Sequence, residues 1–376
     1  MLSVYAPPPG FRAIGNPTHD NCCALWRRTD TRIELVRYWE FERVSGLKHH
    51  GVPNYRAADF TAWINALLAE EGLSLDDMAE VHGTHASGLG GMISEAARAS
   101  GLPFHSLAHL FSAIALDTDV FRTQTIVALA PDGGPDLTQD EAISQYRYAG
   151  CVSRAGQVSY FPIESPGPIF ERAKRLFRRE EGTLMALATA APCHVDIDPS
   201  AMLGGDEYWG GAGLGSQASA MIGRVHQAVL DELSTAGGRA RCAYDPRFSD
   251  EENAVSAAMK VIQAVSIAVL ERTLVAALDR YAIDPASAYL GLAGGYALNC
   301  PTNSYLMDKY CFLGLLAPPC VNDGGQALGI GLMRFEGRSS AFGLRPPRGC
   351  RPSRTWITPR GCSPLRRAMT SGCTPC

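Results

Sequence analysis

The sequence has no uninterrupted run of 18 or more apolar residues, so it predicts no transmembrane helix. Residues 1–12 are rich in proline and lack a basic region followed by an apolar one, so no secretory signal is predicted. The twelve cysteines show no spacing typical of a disulfide framework, which a chain of 376 residues does not need for stability. We therefore expect reduced thiols and a cytoplasmic location.

Lysine and both acidic residues are missing from the end of the chain. Residues 338–376 contain eight arginines but no lysine, aspartate or glutamate. These arginines contribute +8 to a total charge of −4, so residues 1–337 carry a charge of −12. An acidic body offers no footprint for a nucleic acid, and without an apolar run no membrane partner is expected.

The same terminal stretch has no apolar periodicity and holds six prolines and four cysteines. A basic tail that binds nucleic acid or membrane, or a metal knuckle built on Cys373 and Cys376, would explain parts of it. Interleaved aromatics or a second cysteine pair would support those interpretations, and both are missing. We interpret residues 338–376 as an irregular Arg/Pro/Cys-rich tail that is disordered or out of frame.

The chain as a whole has the composition of a globular protein, with 46% hydrophobic and 19% charged residues. A chain of this length can bury a sizeable core in one large domain or two ordinary ones. Strand-like segments cluster early, and later strands alternate with helices, which favours an α/β fold. We expect two similar lobes, roughly residues 1–150 and 151–337.

Two glycine turns are the most informative motifs. The apolar residues 288–293 lead into Gly294 and Gly295, and a helical pattern follows at once. Asp323 precedes Gly324 and a second helical pattern. Glycines let a phosphate approach the backbone, and a helix N-terminus offers unpaired N–H donors. A carboxylate at the second turn can bind a metal or orient a nucleotide, so the two turns together predict a nucleotide site.

A candidate metal site comes from two histidines and two acids. His105 and His109 are four residues apart in a helical pattern, so their imidazoles share one face. Asp132 follows a buried strand and Asp323 precedes a helix, and sites are usually built at such element ends. This set would suit a divalent metal, iron among them. The alternative is that the histidines only form hydrogen bonds in a polar crevice.

Other histidines carry weaker patterns. His19 and Asp20 stand just before the first strand pair, where they could contact a phosphate, act as a general base or simply form an Asx turn. The residues alone favour none of these. His82 and His85 are separated by a glycine, which favours a surface turn over a pair of ligands.

Taken together, these motifs resemble the O-carbamoyltransferase family, which includes the nodulation carbamoyltransferases and those that modify antibiotics. The resemblance covers about residues 11–335 and is most specific at the two glycine turns. The matching segments are His19 with Asp20, residues 40–44 with Lys48 and His49, residues 105–113, Asp132 with Gly133, and residues 181–188, 292–299 and 322–329.

The resemblance implies an actin-like ATPase (ASKHA) fold, with the nucleotide and metal site between the two lobes. In that family a YrdC-like domain makes carbamoyl-adenylate from carbamoyl phosphate and ATP. The ASKHA domain then transfers the carbamoyl group to an alcohol, here a small-molecule acceptor in natural-product biosynthesis. Carried over, the metal ligands for Fe2+ or another divalent ion would be His105, His109, Asp132 and Asp323. The nucleotide would be held by Gly294, Gly295, Asn299, Asp323 and Gly324, and the catalytic pair would be His19 and Asp20.

Three features depart from the family pattern. Thr183 stands where the family has a lysine, Tyr296 replaces a small residue, and the irregular tail stands where the YrdC-like domain should begin. A separate YrdC-like protein would then have to supply the donor. Two alternatives stay open: an inactive family member that binds nucleotide or metal without turnover, and an enzyme like the tRNA threonylcarbamoyl transferase. In the loop 204–209, Asp206 or Glu207 could assist as base at an acceptor pocket, although a mobile surface loop explains the same residues.

Overall fold

The computed structural model describes residues 1–6, 19–28, 33–50, 57–83, 102–134, 146–203, 209 and 214–334. Its strands are β1 Leu2–Tyr5, β2 Cys22–Arg28, β3 Ile33–Glu40, β4 Val81–Gly83, β5 Thr125–Leu129, β6 Ala149–Arg154, β7 Gln157–Pro162, β8 Ala288–Leu292 and β9 Gly314–Leu316. Its helices are α1 Phe41–Ser45, α2 Ala57–Ala69, α3 Phe104–Ile114, α4 Thr118–Thr123, α5 Gly167–Phe177, α6 Glu181–Ala190, α7 Pro199–Met202, α8 Leu214–Ser234, α9 Gly238–Arg241, α10 Asp250–Arg280, α11 Cys300–Tyr310 and α12 Gln326–Met333. Five short 3-10 turns, Lys48–His50, Leu75–Asp77, Pro285–Ser287, Gly295–Leu298 and Asp323–Gly325, complete the described elements.

The strands form two sheets that repeat one topology. In the first sheet the order is β3-β2-β1-β4, with β1, β2 and β3 antiparallel and β4 parallel to β1. In the second the order is β7-β6-β5-β8-β9, again with an antiparallel meander followed by parallel strands. The repeat confirms the predicted α/β architecture with two similar halves, as expected for an actin-like ATPase fold.

Helix α3 lies in the core that joins the two sheets. All of its residues from Phe104 to Ile114 are buried. The hydrophobic cluster around α3 contains residues of β2 and α12 as well as of β5 and β6. Both faces of this helix are therefore covered by protein, and any polar side chain on it must find a partner inside the molecule.

Helix α10 is the long central helix of the second half. It begins at a capping box, in which Ser249 Oγ accepts a hydrogen bond from Glu252 N and the Glu252 carboxylate accepts one from Ser249 N. By length and composition it could cross a membrane, although charged residues interrupt its apolar sequence. Since 56% of its apolar window is buried inside the protein, α10 has the environment of a core helix.

Some local predictions differ from the structure. Sequence pattern indicates a strand over residues 143–148; of these, only residues 146–148 are described, and they precede β6, which begins at Ala149. The boundary between the two lobes near residue 150 stays a prediction. The tail from residue 338 lies outside the described residues, and so do residues 90–99, for which the sequence pattern predicts a helix.

The last described helix returns to the first sheet. Helix α12 packs on α3 and on β1, so closely that a Cβ built on Gly329 would overlap the carbonyl oxygen of Ala108. A residue without a side chain is required at this crossing. Because Asp323 precedes α12 and both histidines lie on α3, the crossing fixes the distance between the two halves of the candidate metal cluster.

We expect Gly329→Ala to lower the free energy of unfolding by about 1–3 kcal/mol, since its methyl group overpacks the crossing. Gly223 in α8 is the matched control because it is exposed and a Cβ there would meet open space. Gly223→Ala should raise stability by up to about 1 kcal/mol through helix propensity. Urea denaturation measures both, and stabilisation by the two variants alike would contradict the close crossing.

Candidate metal and nucleotide site

The four predicted metal ligands lie together. His105 Nε2 is 2.8 Å from Asp132 Oδ2 and 3.5 Å from Asp323 Oδ1. His109 Nε2 is 3.6 Å from Asp132 Oδ2 and 3.3 Å from Asp323 Oδ1. One ligand atom from each residue lies within 4.8 Å of the others, and all four residues are buried. We call this group the His/Asp cluster.

The cluster has the features of a cation site. His109 is fully buried, and neither of its ring nitrogens has a hydrogen-bond partner among the described residues. Leaving a buried polar atom unsatisfied costs about 1–3 kcal/mol. A divalent ion would use the Nε2 lone pair and neutralise the two buried carboxylates. Imidazole and carboxylate ligands suit several such ions, so this donor set fits a divalent metal without selecting Fe2+.

Asp132 uses its two carboxylate oxygens for different tasks. Oδ2 faces the histidines, whereas Oδ1 accepts hydrogen bonds from Gly133 N at 2.8 Å and Gly295 N at 3.0 Å. Burial alone would raise the pKa of Asp132, but the contacts with His105 and His109 outweigh it and hold that pKa well below its ordinary value. The carboxylate is therefore ionised and oriented before any ligand binds.

The backbone of Asp132 is held as firmly as its side chain. Ser165 Oγ donates a hydrogen bond to Asp132 O at 2.7 Å and accepts one from Asp132 N at 2.9 Å. Ser165 is fully buried, and its Oγ also accepts a hydrogen bond from Gly167 N, at the start of α5. The segment after β5 is thus fixed by the helix that follows the second antiparallel meander.

Asp323 is positioned from the first sheet. Tyr5 OH, at the end of β1, donates a hydrogen bond of 3.0 Å to Asp323 Oδ2 and leaves Oδ1 facing the histidines. The Cys22 thiol donates to Asp323 O at 3.6 Å, and Gln326 Nε2 donates to His105 O at 3.0 Å. The turn before α12 is therefore attached both to the first sheet and to the histidine helix.

The first glycine turn differs from the expected one. Gly294, with a φ of 95°, donates its N–H to Val321 O at 2.6 Å, and Gly295 donates to Asp132 Oδ1. The expectation that these amides are unpaired is therefore wrong. The group bound by the Gly295 amide is the Asp132 carboxylate. Gly295 also begins a short 3-10 turn, Gly295–Leu298, which precedes α11.

Asn299 has a structural role in this turn. Its Oδ1 accepts a hydrogen bond of 3.1 Å from Thr302 N and so caps α11. Its Nδ2 donates to Gln263 Oε1 on α10 at 2.8 Å. These bonds fix the start of α11 against the central helix, and a contact between Asn299 and a nucleotide stays a prediction, as it does for Gly294, Gly295 and Gly324.

The His19–Asp20 pair is connected to the second turn. Asp20 Oδ2 lies 3.1 Å from His19 Nδ1 and accepts a hydrogen bond of 3.0 Å from Asn322 Nδ2. The hydrogen bond to Asp20 raises the pKa of His19 to about 9, against the effect of burial, and the charge of Asp323 adds to the rise. A histidine that is charged at neutral pH suits a contact with phosphate better than the role of general base.

Three residues that hold the cluster were missed by sequence reasoning: Tyr5, Ser165 and Gln326. Tyr5 ends a strand, which is the kind of position that pointed to Asp132, so that signal could have identified it. No local pattern marks the other two. His82 lies in β4, is buried and contacts Glu80 Oε2 at 3.0 Å, so a surface turn is wrong for it. His85, Asp206 and Glu207 lie outside the described residues.

We expect purified protein to hold one divalent ion per chain by elemental analysis, and His109→Ala to lose it, because this residue supplies a buried Nε2 that faces both carboxylates of the cluster. His194 is exposed and its imidazole contacts Pro192 O of its own loop, so His194→Ala should keep the ion. A folded wild-type chain that takes up no Fe2+, Mn2+ or Zn2+ would contradict the site.

The glycine turn and the metal ligands should prove to be coupled. A Cβ on Gly295 would lie 2.9 Å from Asp132 Oδ1, whereas one on Gly133 would meet open space. We expect Gly295→Ala to weaken metal binding about 10-fold by displacing the carboxylate, and Gly133→Ala to leave it unchanged. Competition with a chelator measures the affinities, and equal values for the two variants would show that the turn does not position Asp132.

Solved structures resemble the chain only distantly. The activator of the 2-hydroxyisocaproyl-CoA dehydratase from Clostridium difficile, with bound ADPNP, is 11% identical over 89% of this chain and 94% of its own, with a TM-score of 0.43. Component A of the Acidaminococcus fermentans (R)-2-hydroxyglutaryl-CoA dehydratase is 12% identical over 89% and 97%, with a TM-score of 0.42. Full-length HypF in its phosphate- and nucleotide-bound form is 13% identical over 90% of this chain and 56% of its own, also with a TM-score of 0.42. No conclusion about this chain rests on these likenesses.

No curated protein matches the chain. A family comparison is more informative, because residues 244–332 match the family model described as the carbamoyltransferase N-terminus. The matched segment contains α10, β8, α11 and both glycine turns, including Asp323 of the His/Asp cluster. In this segment the chain is similar to the N-terminal part of the carbamoyltransferases.

Proposed function

We propose that this chain transfers a carbamoyl group from carbamoyl-adenylate to a hydroxyl of a small-molecule acceptor, as an O-carbamoyltransferase of natural-product biosynthesis. The observation that supports this most is the family match, since residues 244–332 contain both the Gly295 turn and Asp323. The donor would be made from carbamoyl phosphate and ATP by a YrdC-like domain or protein.

The reaction sets modest demands on the protein. The carbonyl carbon of carbamoyl-adenylate is already activated, because the phosphate of AMP is a good leaving group. A bond forms between the acceptor oxygen and the carbonyl carbon, the bond from that carbon to the phosphate oxygen breaks, and the hydroxyl proton is released. The protein must hold the donor, neutralise phosphate charge and orient the acceptor.

We propose that His105, His109, Asp132 and Asp323 hold a divalent ion, with Fe2+ as our first candidate. When bound, such an ion supplies positive charge that stabilises negative charge developing on a neighbouring oxygen. The chain contributes rigidity, since Tyr5 orients Asp323 and the Gly295 amide orients Asp132. Ligands fixed in this way need little rearrangement on binding.

The nucleotide would lie against the two glycine turns. Because the Gly295 amide is engaged by Asp132, we assign Gly294 and Gly295 the role of giving close access to a backbone without side chains. Gly324 and His19 are the groups proposed to face the phosphates, since Asn322 joins the second turn to the His19–Asp20 pair. Thr183 stands where the family has a lysine, so this position supplies no positive charge. The charge of His19 would attract the phosphates instead.

The test supplies carbamoyl-adenylate to metal-loaded protein together with a panel of alcohols. We expect AMP release that depends on the alcohol, and a carbamoylated product that mass spectrometry identifies. His109→Ala should lower the rate at least about 100-fold, because the positive charge at the site is lost, while His194→Ala should keep it.

Two results would count against the proposal. Protein that binds the metal but neither ATP nor carbamoyl-adenylate in calorimetry would be an inactive relative. Transfer to a tRNA nucleoside in preference to every small alcohol would instead point to the threonylcarbamoyl-transferase-like reaction.

A further inference from the structure

Arg147 is a cation whose backbone contacts α3, the helix that carries His105 and His109. Its Nε is buried and has no hydrogen-bond partner among the described residues. Among the described residues no ion pair joins its guanidinium group to a carboxylate, whereas the half-buried Arg272 is paired with Glu164. A half-buried arginine without a partner is unusual, because both its charge and its N–H groups lose water.

Arg147 lies at the end of the second sheet from which Asp132 also comes. Strands β5 and β6 are antiparallel, with Leu129 opposite Gly150, and Ala130 N donates a hydrogen bond of 3.0 Å to Ala149 O. Beyond this bond both segments are outside the sheet, and Asp132 follows β5 where Arg147 precedes β6. The two residues therefore lie at the same end of the β5–β6 pair.

The alternation of side chains gives the same location. Ala149 and Cys151 of β6 belong to the hydrophobic cluster around α3, whereas Tyr148 belongs to the cluster on the other face of the sheet. By this period of two, Arg147 falls on the face covered by α3. Ser106 Oγ, on the residue after His105, donates a hydrogen bond of 3.2 Å to Arg147 O and confirms that α3 and this backbone are in contact.

The charges of the cluster do not require Arg147. The carboxylates of Asp132 and Asp323 together carry two negative charges, and a divalent ion would neutralise both. A further positive charge at this place therefore needs an anion that comes with a ligand. A guanidinium group binds phosphate oxygens through two parallel N–H donors, which a metal ion and an imidazole cannot do.

We propose that Arg147 binds the phosphate group of the carbamoyl donor; the identity of that anion rests on the proposed function. Arg147, which precedes β6 of the second sheet, is then a substrate-binding residue. His19, which precedes β2 of the first sheet, is the corresponding cation of the other half. In this arrangement the phosphate is recognised by side chains, which compensates for the engaged amides of the first glycine turn.

The experiment compares wild-type protein with Arg147→Met, which keeps the length of the side chain, and Arg147→Lys, which keeps only its charge. Arg154→Met is the matched control, because Arg154 ends β6, seven residues away, opposite Thr125. Calorimetry with inorganic phosphate and with ATP measures affinity, and elemental analysis checks that the metal is retained. We expect Arg147→Met to weaken both ligands about 10- to 100-fold, Arg147→Lys to weaken them less, and Arg154→Met to have no effect.

The outcomes separate this inference from the proposed function. If phosphate binding depends on Arg147 but ATP and carbamoyl-adenylate do not bind, the proposed function fails and the phosphate site stands. If wild type and both Arg147 variants bind phosphate and ATP equally, the assignment of Arg147 is overturned while the function stands. If wild-type protein with its metal binds neither ligand, both are overturned. If Arg147→Met fails to fold, Arg147→Lys decides the question. The inference then requires that Arg147→Lys binds phosphate more weakly than wild type while its thermal stability is normal.

Discussion

The carboxylate of Asp132 is the group on which the site depends. One of its oxygens faces His105 and His109 on α3, and the other binds the backbone N–H of Gly295. A buried carboxylate is costly unless its oxygens accept hydrogen bonds or face positive charge. Asp132 therefore favours a fold in which α3 and the Gly295 turn both contact it. The histidine helix and the glycine turn, which come from distant parts of the chain, are therefore positioned by a single side chain.

The repeated sheets explain why the cluster forms where it does. In each sheet the central strand, β1 or β5, has a meander on one side and a parallel strand on the other. Tyr5 is the last residue of the first central strand, and Asp132 comes shortly after the second. Asp132 is a member of the cluster and Tyr5 binds another member, Asp323, so both act from the carboxyl end of a central strand. Ligand sites usually form at that end in α/β proteins, and here the ends of two sheets meet across α3.

Sequence reasoning identified the cluster because its members carry local signals. The spacing of His105 and His109 indicates that they share a helix face. Asp132 follows a run of apolar residues that is typical of a buried strand. The hydrogen bonds that orient them are set by the tertiary fold, so Ser165 and Gln326 could not be assigned from neighbouring residues. The same limit explains the error at Gly295, whose amide looks available in the sequence but is bound by a carboxylate 163 residues away.

The return of α12 to the first sheet has a consequence for how the protein is made. Ser3 Oγ bonds to Ala327 O, and Tyr5 bonds to Asp323, a partner 318 residues later in the chain. At a synthesis rate of about 5–20 residues per second, the first strand waits roughly 15–60 seconds for that partner. During this time the apolar face of the first sheet lacks its cover, and Asp323 does not yet exist. The four residues of the cluster can therefore come together only when synthesis of the described region is almost finished.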